Sequence, residues 1–169
     1  MDGVLRRLDL SMIKVNEGLK NKQGNEALQL HIDSQTEPTF NPAMFALPSD
    51  ELYCVTNCSS ENSAAKKERW LNHFYGGRIK IAPIHAAQGK WGKDYVDEVS
   101  REKLNVLYEI GAEVYFDDDP AIIRVMRELH EQDLKDFAKT DKVNLMPYIK
   151  FLKYGTWIEE WYNLSKNGG

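Results

Sequence analysis

"AEVYFDDDPAIIRVMREL", residues 112–129, decides the fold. A short apolar run ends in three consecutive aspartates, a proline follows, and then an apolar stripe at helical spacing. Asp119-Pro120 has the chemistry of a helix start, since aspartate is favoured at the N-cap and proline at the first helical position. Ile122, Met126 and Leu129 then recur on one face. A strand running into a helix belongs to the alternating pattern of an α/β fold with a parallel sheet. Adjacent carboxylates raise one another's pKa, so the acids at this strand end call for a chemical reason.

The same alternation recurs upstream. "ELYCVTN" (51–57) is an apolar run closed by Thr56 and Asn57. "SSENSAAKKERWLNHFYGG" reads as a helix with Ala64, Trp70, Leu71 and Phe74 inward and Gly76-Gly77 as its stop. "RIKIAP" (78–83) is the next strand, ended by Pro83. "IHAAQGKWGKDYVDEV" is a looser, glycine-punctuated connection, after which Ser100 is expected to cap a helix over 101–110. Leu104, Leu107 and Tyr108 face inward in that helix, and Gly111 terminates it. "KVNLMPYI" (142–149) predicts a last strand and "WIEEWYNL" a short terminal helix.

The first fifty residues are less regular. "VLRRLDLSMIKV" predicts an extended hairpin arm, with "EALQLHID" (26–33) as its partner or as a separate strand. Pro38, Pro42 and Pro48 make 37–50 mostly irregular. The expectation is one domain over 1–169: an N-terminal arm or flap region over 1–50, a core over 51–150 and a C-terminal helix over 151–169.

A chain of 169 residues can bury a substantial core, and 42% hydrophobic with 28% charged residues is ordinary globular composition. The net charge of −4 and sequence pI near 5.6 give no electrostatic case for nucleic acid as a partner. Apolar runs are far short of a membrane span and no signal pattern opens the chain, so a cytoplasmic, non-membrane protein is expected. Cys54 and Cys58 lack a second ligand pair and read as reduced thiols rather than a zinc site. His31, His73, His85 and His130 stand at no metal-ligand spacing, and His73 and His130 read as surface or boundary helix residues.

Thr56-Asn57 and Asp117-Asp118-Asp119 lie at strand ends, where open α/β sheets bind ligands. Lys103 begins the helix that feeds the second of these strands. A hydroxyl, an ammonium and a carboxylate pair suit a phosphate held beside Mg2+, which is usually bound by one or two carboxylates plus substrate oxygens. The cation would also offset the repulsion between Asp117 and Asp118, leaving Asp119 as the N-cap.

These motifs resemble the haloacid-dehalogenase-like (HAD-like) phosphohydrolase superfamily over roughly residues 51–130. "LYCVTN" matches the family's second motif at Thr56, Lys103 in "SREKLNVLYEIGAEVYF" its third, and "VYFDDDP" its acidic fourth at Asp117 and Asp118. The resemblance implies a three-layer, Rossmann-like α/β fold with a mostly parallel sheet. No large insertion follows the first or second motif, so no large cap domain is expected.

The family's first motif is D-x-D-G-[TV]-[LV]. "MDGVL" matches it from the second position on, making Asp2 the acid/base and placing the nucleophile ahead of Met1 in a shortened chain. "LQLHIDSQT" offers Asp33 as nucleophile instead, but puts Gln35 where a proton must be shuttled. The implied activity is Mg2+-dependent hydrolysis of a small phosphate monoester through a phospho-aspartyl intermediate. Asp2 would move the proton, Lys103 would neutralise phosphoryl charge, Thr56 would donate to phosphoryl oxygens, Asn57 would bind substrate, and Asp117 and Asp118 would hold the metal. The alternative is a non-catalytic module of the same descent that binds a phosphorylated ligand or a protein partner.

Overall fold

Two β-α-β units make up most of the computed structural model, which describes residues 4–5, 38, 41–42, 46–139 and 148–153. The order is β1 (Leu52–Asn57), α1 (Glu61–Tyr75), β2 (Ile79–Ile84), α2 (Gly92–Glu109), β3 (Val114–Asp117), α3 (Pro120–Ala138) and β4 (Lys150–Lys153). β1 and β2 run parallel, in register from Leu52 opposite Ile79 to Asn57 opposite Ile84. β3 and β4 run parallel from Val114 opposite Lys150 to Asp117 opposite Lys153. Among the described residues each pair forms its own two-stranded sheet. A parallel pair needs a long crossover, which α1 supplies to the first unit and α3 to the second.

Side chains alternate across a strand, so consecutive β1 residues serve opposite faces. Cys54 and Ile79 bury with Trp70 and Leu71 of α1. Val55 and Ile84 enter a larger cluster with Val99, Leu104 and Leu107 of α2, and with Ile122, Ile123 and Met126 of α3. Tyr115 of β3 and Phe151 of β4 join that cluster, so one core spans both strand pairs. The architecture is α/β with helices on both faces of short parallel strands. Leu104 and Met126 are wholly buried, and truncating either to alanine would cost about 2–5 kcal/mol.

Two of the expected helix ends stand, at Gly76 and at Asp119-Pro120, and Ser60 is a cap that the sequence reading did not single out. Ser60 accepts from Ser63 N at the start of α1, and Gly76 closes that helix in the left-handed region at φ 58°. Asp119 Oδ1 accepts from Ala121 N at 2.8 Å and Ile122 N at 3.3 Å, with Pro120 opening α3.

Three expectations are corrected. Helix α2 begins at Gly92, so Ser100 is a wholly buried mid-helix residue and not a cap. The inward stripe had already started at Tyr95 and Val96, which pack against the core. β2 runs through Pro83 to Ile84; among the described residues β2 has one strand neighbour, and an edge tolerates the missing N–H. The described residues carry a strand at Lys150–Lys153, while the strand expected over 142–149 lies outside the described residues except for 148 and 149, which precede β4. Phe74 is exposed at the rim, 4.9 Å from the Trp70 ring.

The arm over 4–15, the 26–33 segment and the terminal helix fall almost wholly outside the described residues. Among the described residues no helix is long and apolar enough to cross a membrane.

Candidate functional site

Asp117 is the last residue of β3, and its inward-facing side chain follows that of Tyr115 two positions earlier. Lys103, one turn ahead of Leu107 on the buried face of α2, places Nζ 2.6 Å from Asp117 Oδ2. The Tyr115 hydroxyl donates to the same oxygen, and Asp119 N donates to Oδ1 at 3.0 Å. Both carboxylate oxygens are thus engaged, and the residue is 5% exposed. Burial alone would raise the Asp117 pKa, but the Lys103 ammonium and these donors outweigh it and bring the group down to about 2. Burial would likewise lower Lys103, yet the Asp117 charge and the Tyr115 phenol hold it well above the usual lysine range.

Asp118 is as buried as Asp117 and is treated differently. Its Oδ2 has no hydrogen-bond partner among the described residues. Burial, and then the neighbouring Asp117 charge, push its pKa up to about 8. A buried carboxylate oxygen without a donor is costly to leave so. A hard divalent cation fits it, since Mg2+ takes one or two carboxylates and completes its shell with water and phosphate oxygens. Among the described residues no group of three or more His, Cys, Asp or Glu side chains stands at metal-binding geometry. The donor set at the strand end is thus one free carboxylate oxygen, on Asp118, while the Asp117 oxygens face Lys103, Tyr115 and Asp119.

Thr56 lies one residue before the end of β1 and is buried. Its Oγ1 accepts from Lys67 Nζ at 3.1 Å, and the same ammonium donates to Asn57 O at 2.9 Å. Lys67 is 2% exposed, on the inward face of α1. Sequence reasoning passed over it, although it stands three residues after Ala64 and four before Leu71, squarely within the apolar stripe. A lysine in a core stripe is the signal, because lysines are almost never fully buried unless paired. Tyr115 was passed over for a simpler reason: an aromatic in a strand reads as core until its hydroxyl finds a buried acid.

Asn57 clamps two loops. Its Nδ2 donates to Ala86 O and its Oδ1 accepts from Ala86 N, both at 3.1 Å, so its amide is taken up at both ends. His85 Nδ1 and Gln88 Nε2 add contacts to Cys58 O at 3.0 and 3.1 Å. Ala87, at φ 56°, is held there by its N–H donating to Glu98 of α2, a non-glycine residue in the left-handed region. The loops after β1 and β2 are in this way bound to each other and to α2.

Val55, on the face of β1 opposite Thr56, and Tyr115, on the same face of β3 as Asp117, share one core cluster, and among the described residues no hydrogen bond joins Thr56 or Asn57 to Asp117 or Asp118. Asp2 and Asp33 lie outside the described residues. An open depression between α2 and α3, lined by Lys93, Arg101, Arg124 and Glu128 among others, includes none of the strand-end residues. Comparison with protein-family models, with curated proteins and with solved structures finds no match.

Proposed function

We propose that the chain is a HAD-like domain that binds a phosphate monoester beside Mg2+ at the ends of β1 and β3 and hydrolyses it. The observation that carries this reading is the pair of unlike carboxylates on β3. Asp117 is fixed as an anion against Lys103, while Asp118 keeps one buried oxygen without a donor. A solvated acidic loop has no need of such an arrangement; a cation-binding strand end does.

Mg2+, when bound, would offset charge on the phosphoryl oxygens. Asp118 would supply its free oxygen to the ion. Lys103 keeps Asp117 ionised and rigidly placed, which holds the strand end in one geometry before ligand arrives. The Thr56 hydroxyl would donate to a phosphoryl oxygen, and the Asn57 clamp on Ala86 would keep the β1 and β2 loops from collapsing into the site. The attacking and proton-shuttling carboxylates implied by the resemblance lie outside the described residues, and no step is assigned to them.

The test is hydrolysis of an aryl phosphate by the full chain. Turnover that requires Mg2+ and disappears in Asp118→Asn supports the enzyme. Mg2+-dependent phosphate binding without turnover would instead support a non-catalytic phosphate-binding module. No binding and no turnover would remove both readings.

A further inference from the structure

Lys67 and Lys103 are both buried lysines, but they serve different strands from different helices. Lys103 on α2 neutralises a carboxylate, Asp117. Lys67 on α1 donates to Thr56 Oγ1 and to Asn57 O. The geometry at Thr56 has a further consequence. A hydroxyl has one hydrogen to donate, and a lone pair of this one is taken by the ammonium. Its hydrogen must therefore point away from Lys67, and among the described residues no acceptor takes it.

Resting on the phosphate reading above, we propose that Lys67 is a positioning residue: it turns the Thr56 O–H toward the phosphate and makes it a stronger donor. The argument is electrostatic as well as geometric. An O–H whose oxygen accepts from an ammonium is polarised, and in a low-dielectric surrounding that polarisation is weakly screened. Donating to the Asn57 carbonyl as well, the lysine pins the backbone on which the hydroxyl sits. Thr56 then presents a preset donor.

The test is a double-mutant cycle on the full chain, read as the dissociation constant for inorganic phosphate in the presence of Mg2+. The variants are Lys67→Met, Thr56→Val and the two together, with Thr56→Ser as the control that keeps the hydroxyl. Lys67→Met keeps the stem volume and removes the charge, a change that buried sites often tolerate. Each single variant is expected to weaken phosphate tenfold or more, Thr56→Ser much less, and the double variant no more than the worse single one. Such non-additivity marks one shared interaction, and a merely structural lysine would lower the melting temperature without producing it.

Losses that multiply in the double variant, or unchanged phosphate affinity in Lys67→Met, would overturn the positioning role while leaving the phosphate reading intact. A folded wild-type chain that binds no phosphate would overturn that reading and the inference with it. If Lys67→Met does not fold, Lys67→Arg carries the test. Arginine keeps the charge but not the two-acceptor geometry, so several-fold weaker binding is expected, and undiminished binding would overturn the proposal.

Discussion

Asp117 and Asp118 are neighbours in sequence and equally buried, yet one is held as an anion and the other is driven toward its neutral form. The difference is Lys103. Its ammonium meets Asp117 Oδ2 at 2.6 Å, and nothing comparable among the described residues meets Asp118 Oδ2. The strand end is therefore polarised along its own length, with satisfied charge inside and unsatisfied oxygen beside it.

Lys103→Met is expected to be strongly destabilising, because it strands Asp117 as a buried, unpaired charge next to a second acid. Breaking one half of a buried pair costs about 3–5 kcal/mol. Adding Asp117→Asn to Lys103→Met should recover much of that loss, since no charge is then left unpaired. Denaturant unfolding of the wild type, both single variants and the double variant at pH 7 measures this. Losses that simply add would refute the pairing as the source of the effect.

Asp118 makes the opposite kind of pH dependence. Its folded pKa of about 8 lies above the unfolded aspartate value of about 3.9. A group raised on folding gives stability that is full below the unfolded value and lost as pH rises through the folded one. The loss thus accumulates from about pH 4 to pH 8. Asp118→Asn, which carries no charge at either pH, should melt above the wild type at pH 8 and lose that advantage near pH 4. Millimolar Mg2+ should raise the wild-type melting temperature at pH 8 and leave the variant unmoved. Equal offsets at both pH values would sink the assignment.

The helix ends were legible because their code is local. Gly76, Asp119 and Pro120 act within one turn of where they stand, so their residue types mark those roles. Thr56 and Asp117 were legible as strand-end residues and the alternating runs gave the parallel α/β class, whereas Lys103, expected at a helix start, stands well inside α2. What sequence could not reveal depends on distant partners. Lys67 is buried, and Thr56 and Asn57 accept from it across α1 and β1. Ser100 resembles a cap until the stripe upstream of it is seen to be continuous with the core. Asn57 reads as a ligand-facing amide until Ala86 takes both ends of it.

Gly76 offers a clean measure of one such local signal. It adopts φ 58°, donates its N–H to Asn72 O at 3.0 Å, and a Cβ there would meet nothing within 4 Å. The penalty for Gly76→Ala is then purely one of backbone conformation, about 1 kcal/mol. A stability change near zero in chemical denaturation would mean that α1 does not depend on this left-handed cap.

His130, expected at the surface or its boundary, is 2% exposed and joins three segments. Ile149 N donates to its Nε2 at 3.2 Å, and its Nδ1 lies 2.8 Å from the Tyr108 hydroxyl. Tyr108 O–H donates onward to Asp133 Oδ2 at 3.1 Å, where Arg101 also donates at 2.6 Å. The directions are consistent with one tautomer: Nδ1–H donates to Tyr108, and Nε2 accepts from Ile149. Protonation would set a second N–H against the Ile149 N–H. Burial lowers the His130 pKa, although the Asp133 and Glu131 charges pull it back up. A histidine depressed on folding gives stability that is present above its unfolded value of about 6.5 and lost as pH falls through the folded one. His130→Gln keeps an acceptor and a donor but does not titrate. The stability gap between wild type and this variant should therefore be wider at pH 7.5 than at pH 5, by at most about 1.4 kcal/mol for each pH unit crossed. Taking the difference cancels the opposing slope from Asp118, which both proteins share. A gap that stays constant from pH 7.5 to 5 would show that His130 is not held neutral by the Ile149 contact.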